Sequence, residues 1–121
     1  MSRLHVLVVD DEEGNRESLA MLLAAHDMRV EKSESAKGAL VKLSNGISID
    51  LIISDVAMPE MDGVDFARRA RELRPNVPLI LLTGHDSVVN RVVAQGSIAL
   101  LKPYDPARLL SLIEEAVAPK I

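Results

Sequence analysis

Short apolar runs alternate with helical patterns along the chain, and this alternation restricts the fold more than any other feature. Four runs are apolar almost throughout and are bounded by polar or turn residues: 4–9, 51–53, 79–82 and 98–101. Such runs predict strands that are buried on both faces. A fifth segment, 29–32, alternates polar and apolar residues and predicts a more exposed edge strand.

Apolar residues spaced three and four positions apart follow each run and predict helices. The clearest set is Ala36, Ala39, Leu40 and Leu43, with comparable sets within 19–23, 66–73 and 109–117. Asp105 and Pro106 predict the start of the last helix, since they supply an N-cap followed by proline at the first helical position. Segment 87–95 predicts the weakest helix because its four valines are β-branched.

Strands that alternate with helices predict an α/β domain with a doubly wound, five-stranded parallel sheet and right-handed crossovers. A chain of 121 residues can bury one hydrophobic core, so we expect residues 1–121 to form a single domain without an output domain. Ligands of such sheets bind outside the carboxyl ends of the strands. Functional residues are therefore expected directly after the apolar runs.

Composition excludes several classes of function. The chain has no cysteine, which excludes disulfides, cysteine-ligated zinc and thiol nucleophiles. A net charge of −4, with one Phe, one Tyr and no Trp, disfavours nucleic-acid binding, which needs basic surfaces or stacking platforms. Neither a transmembrane-length apolar run nor a signal peptide is present in the sequence, so we expect a cytoplasmic protein that does not bind membranes.

Acidic residues follow two of the predicted strands. Asp10 and Asp11 come after the first run, and Asp55 comes after the third. Carboxylates that converge in this way repel one another, and a divalent cation would relieve the repulsion. Oxygen ligands without nearby His or Cys favour Mg²⁺. The alternative is that Asp10 and Asp11 favour a helix N-terminus and that Asp55 caps a turn.

A hydroxyl and an ammonium follow the two remaining runs, at Thr83 and Lys102. Taken alone, Thr83 is typical of a turn and Lys102 of a protein surface. Together with Asp55, however, these two residues suggest a shared chemical role. A carboxylate is ionised at neutral pH and can attack phosphorus without a general base, while a hydroxyl and an ammonium can contact phosphoryl oxygens. The combination indicates phosphoryl chemistry at one edge of the sheet.

Four strings in the chain resemble the receiver domain of two-component response regulators. They are Val-Val-Asp-Asp-Glu at 8–12, Ser-Asp-Val-Ala-Met-Pro-Glu-Met-Asp-Gly at 54–63, Leu-Thr-Gly-His at 82–85 and Leu-Lys-Pro-Tyr at 101–104. The resemblance spans essentially the whole chain. It implies a flavodoxin-like fold with strand order 2-1-3-4-5.

The resemblance also implies a metal site and a phosphoacceptor. Asp55 would be the phosphoacceptor. Asp11 and Asp55 would coordinate Mg²⁺ directly, together with the backbone carbonyl of Ala57, and Asp10 would contribute through water. The phosphoryl donor would be a histidine kinase, a histidine phosphotransfer protein or a small acyl phosphate.

Further residues acquire roles only through this resemblance. Thr83 would follow the phosphoryl group and Lys102 would pair with it, and the Lys102–Pro103 peptide bond would be cis. Phosphorylation would change the partner affinity of the face formed by the fourth helix, fifth strand and fifth helix, in a monomer or a phosphorylation-dependent dimer. The domain would not be an enzyme beyond its own phosphorylation and slow autodephosphorylation.

The chain departs from the family's pattern at two positions. Ala99, three residues before Lys102, stands where the family has a switch aromatic. Ala57 cannot position a hydrolytic water, and we expect His85 to interact with that water instead, so both positions tune phosphoryl lifetime. Two alternatives remain open at this point. One is a phosphorelay intermediate or phosphate sink without conformational output. The other is a Mg²⁺-dependent phosphohydrolase, although its usual Asp-x-Asp nucleophile motif is missing.

Overall fold

Five parallel strands form one sheet in the order β2-β1-β3-β4-β5 in a computed structural model that describes residues 3–118. The strands are β1 (His5–Val9), β2 (Arg29–Ser33), β3 (Leu51–Asp55), β4 (Leu79–Thr83) and β5 (Ile98–Leu101). The helices are α1 (Glu13–Ala25), α2 (Ala36–Ser44), α3 (Gly63–Leu73), α4 (Asp86–Ala94) and α5 (Pro106–Val117). The predicted α/β, flavodoxin-like fold with strand order 2-1-3-4-5 is confirmed.

The hydrophobic core lies in two layers, one on each side of the sheet. Successive strand residues point to opposite faces, so Val6 and Val8 pack with α1 and α5, whereas Leu7 and Val9 pack with α2, α3 and α4. Phe66 of α3 is fully buried in the second layer. Both faces of the sheet are covered, which explains why the inner strands are continuous apolar runs.

The fifth strand is less deeply buried than its apolar run predicts. The run predicts a strand buried on both faces, but within β5 only Leu100 is buried, and Leu101 is 40% exposed. The apolar residues of a run indicate a tendency to avoid water. They do not indicate how many other strands will pair with the run. The other edge strand is β2, whose alternating polar and apolar residues predict a more exposed edge strand, as observed.

Side chains cap four of the five helices. Asp105 accepts a hydrogen bond from the amide of Ala107, with Pro106 in the first turn of α5, as predicted. Comparable caps are supplied by Glu12, Ser35 and Asp62 to α1, α2 and α3. The valine-rich helix α4 begins after His85 without a side-chain cap. The missing cap is consistent with the sequence prediction that this helix is the weakest of the five.

The chain reverses its direction of travel across the sheet at β1. It moves outward from β1 to β2 and then returns to β3 on the other side of β1. The connections that follow β1 and β3 therefore diverge and leave a crevice between them at the carboxyl edge. The last residues of β3 and β4 and the residues directly after β1 and β5 border this crevice.

Candidate functional site

Three carboxylates meet in the crevice at the carboxyl edge of the sheet. Asp10 directly follows β1, and Asp55 is the last residue of β3. Each of Asp10, Asp11 and Asp55 offers a carboxylate oxygen, and these oxygens lie within 4.8 Å of one another. Asp10 and Asp55 are only 5% and 6% exposed, whereas Asp11 is exposed. The structure thus brings together the acids that the sequence placed at separate strand ends.

The Asp10 carboxyl group is held in an environment that disfavours its charge. Burial is the main cause that raises its pKa above the usual range, and the charges of Asp55 and Asp11 raise it further. The amide of Glu12, which donates to Oδ1 of Asp10 at 3.0 Å, and the ammonium of Lys102 act in the opposite direction. Additional positive charge in the crevice would therefore stabilise the ionised carboxylate.

Lys102 supplies one positive charge to this acidic cluster. Its Nζ atom lies 2.5 Å from Oδ1 of Asp55, and its side chain is 35% exposed. The same Oδ1 atom is buried and accepts no hydrogen bond of good geometry, so this contact is an ion pair by distance. The Lys102–Pro103 peptide bond is cis. Asp55 Oδ1 retains hydrogen-bonding capacity that a further ligand could use.

Thr83 is the buried last residue of β4 and lies between these two charged strand ends in the sheet order. Its Oγ1 accepts a hydrogen bond from the amide of His85 at 3.1 Å. This hydrogen bond forms a turn, which is the interpretation of Thr83 as a turn residue given above. A hydroxyl that accepts in this way still has a hydrogen to donate. The turn and a phosphoryl contact are therefore compatible. The residue His85 itself is exposed.

The two alanines that depart from the family pattern lie in different surroundings. Ala57 is exposed at the start of the connection after β3. Ala99 is half-buried on β5, opposite Leu81, and packs against the core layer that includes Val92 of α4. Tyr104 packs against the other core layer, with α1 and α5. The one phenol ring of the chain therefore lies on the opposite side of the sheet from Ala99.

Three residues that support the site escape the sequence reasoning. A Cβ atom added to Gly63 would lie 2.7 Å from the Cα of Val56 and would overlap the Asp55 carbonyl, so only glycine fits there. The Ser54 hydroxyl donates to the same carbonyl at 2.9 Å, and Arg16 donates to the Asp10 carbonyl at 3.0 Å. Gly63 lies within the quoted strings, which could have identified it. No spacing in the sequence points to Arg16.

The donor set suits a hard divalent cation. Asp10, Asp11 and Asp55 provide only oxygen atoms, and two of the three carboxylates are buried close to another negative charge. Mg²⁺ prefers such ligands and binds through one or two carboxylates plus water or phosphate oxygens. The residues present therefore fit Mg²⁺.

Comparison with known families identifies the class of the domain. The family model described as response regulator receiver domain matches residues 6–114. The chain belongs to this family. Receiver domains are signalling domains of two-component systems, in general not enzymes, and they bind Mg²⁺ in an acidic pocket.

Two curated relatives of this receiver are transcriptional regulatory proteins. GlrR of Escherichia coli is 35% identical over 116 residues, an alignment that covers 93% of this chain and 26% of GlrR. FixJ of Bradyrhizobium diazoefficiens is 34% identical over 116 residues, covering 93% of this chain and 56% of FixJ. The receiver thus spans about a quarter of one relative and just over half of the other.

Solved structures show the same architecture. A receiver domain protein from Methanospirillum hungatei superposes with a TM-score of 0.88 at 29% identity, covering 96% of this chain and 94% of the other. The chemotaxis response regulator CheY4 of Vibrio cholerae gives a TM-score of 0.85 at 30% identity, with 95% and 99% covered. Among residues 3–118, no helix is long and apolar enough to cross a membrane.

Proposed function

We propose that this receiver accepts a phosphoryl group on Asp55 from a phosphohistidine of a histidine kinase or a histidine phosphotransfer protein. One observation carries the proposal. The buried Asp55 carboxylate lies 2.5 Å from the Lys102 ammonium and shares a crevice with two further acids. A nucleophile, a cation and a set of metal ligands are thus assembled at one edge of the sheet.

The transfer needs no base from the protein. A carboxylate oxygen of Asp55 forms a new P–O bond while the P–N bond to the donor imidazole breaks, and the bonding electron pair stays on the imidazole nitrogen. Lys102 pairs with the phosphoryl oxygens during the transfer, and the Thr83 hydroxyl donates to one of them once the new P–O bond has formed. Lys102 already contacts Asp55, so its ammonium needs little reorganisation for the transfer.

Asp10, Asp11 and Asp55, with the backbone carbonyl of Ala57, would hold Mg²⁺ in this site. When bound, Mg²⁺ neutralises charge on the phosphoryl oxygens and on the acids. Asp10 and Asp55 are buried, but Asp11 and Ala57 are exposed, so one side of the cluster is open to solvent. A donor can approach from that side.

Mass spectrometry after incubation with Mg²⁺ and acetyl phosphate tests this function. We expect one added phosphoryl group, which is absent from Asp55→Asn and absent after chelation of Mg²⁺. Asp65→Asn is a matched control, because Asp65 is an exposed α3 residue and the same charge is removed. Unchanged labelling of Asp55→Asn would disprove the assignment.

We further propose that the phosphorylated domain signals in the cytoplasm through the face formed by α4, β5 and α5. Val93 of α4 and Leu101 of β5 support this role, since they are large apolar side chains that are 58% and 40% exposed. An effector or output domain with an apolar contact surface would bind there, or a second copy of the phosphorylated chain.

A second candidate function is a phosphorelay intermediate or phosphate sink without conformational output. Ala99 favours it, because position 99 packs against the α4 side of the core without an aromatic ring that could change its position. Amide hydrogen exchange distinguishes the two functions. Slower or faster exchange in α4 after phosphorylation supports signalling, whereas unchanged exchange in a fully phosphorylated sample supports the relay or sink.

A further inference from the structure

Arg16 connects the beginning of α1 to the carboxyl end of β1. Its side chain is only 14% exposed, and its Nη1 atom donates to the backbone carbonyl of Asp10 at 3.0 Å. Its Nε atom lies 3.9 Å from Glu17, which is paired in turn with Lys32 of β2 at 2.9 Å. The guanidinium therefore has a partner on each side, a hydrogen bond to the Asp10 carbonyl and a longer ion pair with Glu17.

The hydrogen bonds of Asp10 show what this contact does. The Asp10 amide donates to the Ser33 carbonyl at 3.1 Å, the Asp10 carbonyl accepts from Arg16, and Oδ1 accepts from the Glu12 amide. Within the described residues, Oδ2 is the one polar atom of Asp10 without a hydrogen-bond partner or ion pair. The backbone on both sides of the residue is held, and one carboxylate oxygen is left for another ligand.

Restraint is needed here because the acids repel one another. Three carboxylate oxygens within 4.8 Å would separate if the connection between β1 and α1 were free to swing outward. Glu12 restrains the Asp10 side chain, but it belongs to the same connection and would move with it. Arg16 is anchored to α1 and, through Glu17, to β2. It can hold the connection in place while the metal is absent.

We propose that Arg16 is a positioning residue for Mg²⁺, which keeps Asp10 and its neighbour Asp11 turned toward Asp55 before the ion binds. The proposal rests on the Mg²⁺ site of the proposed function. A site that is already assembled avoids the free energy of gathering the ligands at the moment of binding. Outer contacts of this kind contribute to metal affinity although they never touch the ion.

The direction in which the Mg²⁺ affinity changes when Arg16 is replaced distinguishes a positioning role from a purely electrostatic one. Removing a positive charge near an acidic cluster should strengthen the binding of a cation. Removing a residue that positions the ligands should weaken it. Arg16→Met therefore gives opposite changes in Mg²⁺ affinity under the two explanations.

Calorimetric titration with MgCl₂ alone is the test, without any phosphoryl donor. We expect Arg16→Met to raise the Mg²⁺ dissociation constant about tenfold. Arg16→Lys, which keeps one donor within reach of the Asp10 carbonyl, should recover part of this loss. Arg69→Met is the matched control, because Arg69 is an exposed α3 residue, and it should change the constant less than about twofold, as expected for a distant screened charge.

An unchanged or tighter Mg²⁺ affinity in Arg16→Met overturns the proposal. If that variant does not fold, as judged by its thermal transition in EDTA, Glu17→Gln replaces it. Loss of the Glu17 charge frees one side of the guanidinium and should weaken Mg²⁺ binding about threefold, a smaller loss than the tenfold typical of outer contacts; no weakening there contradicts the proposal. Failure of Asp55 to accept phosphate would overturn the proposed function and leave these Mg²⁺ titrations valid.

Discussion

The ammonium of Lys102 lies 2.5 Å from Oδ1 of Asp55, although the two residues belong to strand ends that are not adjacent in the sheet. The lysine side chain spans the end of β4 to reach the aspartate. Its backbone amide meanwhile donates to the carbonyl of Thr83, the last residue of β4, at 2.7 Å. Backbone pairing therefore fixes where the lysine side chain begins, and the length of that side chain brings its charge to the Asp55 carboxylate.

Replacement of this lysine tests the pair. We expect Lys102→Met to slow labelling of Asp55 by acetyl phosphate about 10- to 100-fold, because charge that develops on the phosphoryl oxygens loses its cation. Stability should fall by about 1 kcal/mol. Breaking a fully buried pair would cost more, but the ammonium is partly hydrated. Time-resolved mass spectrometry and urea unfolding measure the two effects.

Lys37→Met is the control for this substitution, since Lys37 is an exposed lysine of α2. It should leave both the labelling rate and the urea midpoint nearly unchanged. Equal labelling rates in Lys102→Met and Lys37→Met would show that the ion pair has no role in the transfer.

Because the ionised carboxylate of Asp10 is buried, we expect a neutral residue at this position to stabilise the folded protein. Its pKa is raised above 3.8 in the folded state, so the folded protein holds this proton more tightly than the unfolded chain does. Stability from this group is therefore lost as the pH rises above about 3.8 through the raised value, and the penalty persists at neutral pH. Asp10→Asn should increase the free energy of unfolding at pH 7 without Mg²⁺ by about 1 kcal/mol.

The stabilisation should shrink as the pH falls below 3.8, because the carboxyl group of Asp10 then becomes protonated in the unfolded state as well. Added MgCl₂ should narrow the difference at pH 7, because the wild type gains more from ligand binding than the variant does. Chemical denaturation at several pH values gives the curve. A variant that is less stable than the wild type at pH 7 in EDTA would refute the argument.

The Thr83 hydroxyl is expected to act after phosphorylation rather than during it. Thr83→Ala removes the acceptor for the His85 amide and should lower stability by about 1 kcal/mol. Labelling of Asp55 should persist, but the phosphorylation-dependent change in amide exchange of α4 should disappear. Thr83→Ser keeps the hydroxyl and should retain the change. A response of α4 that is identical in Thr83→Ala and the wild type would rule out this role.

A substitution at Gly63 tests the packing against the backbone of Asp55 and Val56. Gly63→Ala should destabilise the fold by about 2 kcal/mol, because the new methyl group would overlap the Asp55 carbonyl and the Cα of Val56. Labelling should also slow, since the Asp55 backbone must shift. Gly84→Ala is the matched control, as nothing lies within 4 Å of an added Cβ there. Equal thermal midpoints for the two variants would contradict the packing explanation.

Position 99 tests whether the missing aromatic limits the response. Ala99→Tyr places a ring against the α4 layer, which should cost about 1 to 3 kcal/mol if the ring packs inward. In return, phosphorylation should alter amide exchange in α4 more strongly than in the wild type. The same measurement on Ala99→Leu controls for added volume without an aromatic ring. A larger response in Ala99→Leu than in Ala99→Tyr would argue against an aromatic switch.

Much of the fold follows from local sequence patterns. Apolar runs identify the strands, since the inner strands are covered on both faces and every residue in them avoids water. The same signal fails at β5, where the run remains apolar at a sheet edge and Leu101 stays exposed. A strand that is covered by helices and a strand that lies between two other strands are both apolar. The apolar pattern of β5 therefore could not show that it lies at the edge of the sheet.

The residue types of the site are a property of the sequence, whereas their relationship is a property of the tertiary structure. Asp10, Asp55, Thr83 and Lys102 each follow an apolar run, and parallel strands must bring their carboxyl ends to one edge. Distances within that edge depend on register, crossover and side-chain reach, which no local pattern contains. The raised pKa of Asp10 arises first from burial and then from charges that include those of Asp55 and Lys102, and the Arg16 contact depends on how α1 lies beside the end of β1. Electrostatic and hydrogen-bond energies depend on separations that only the folded chain defines.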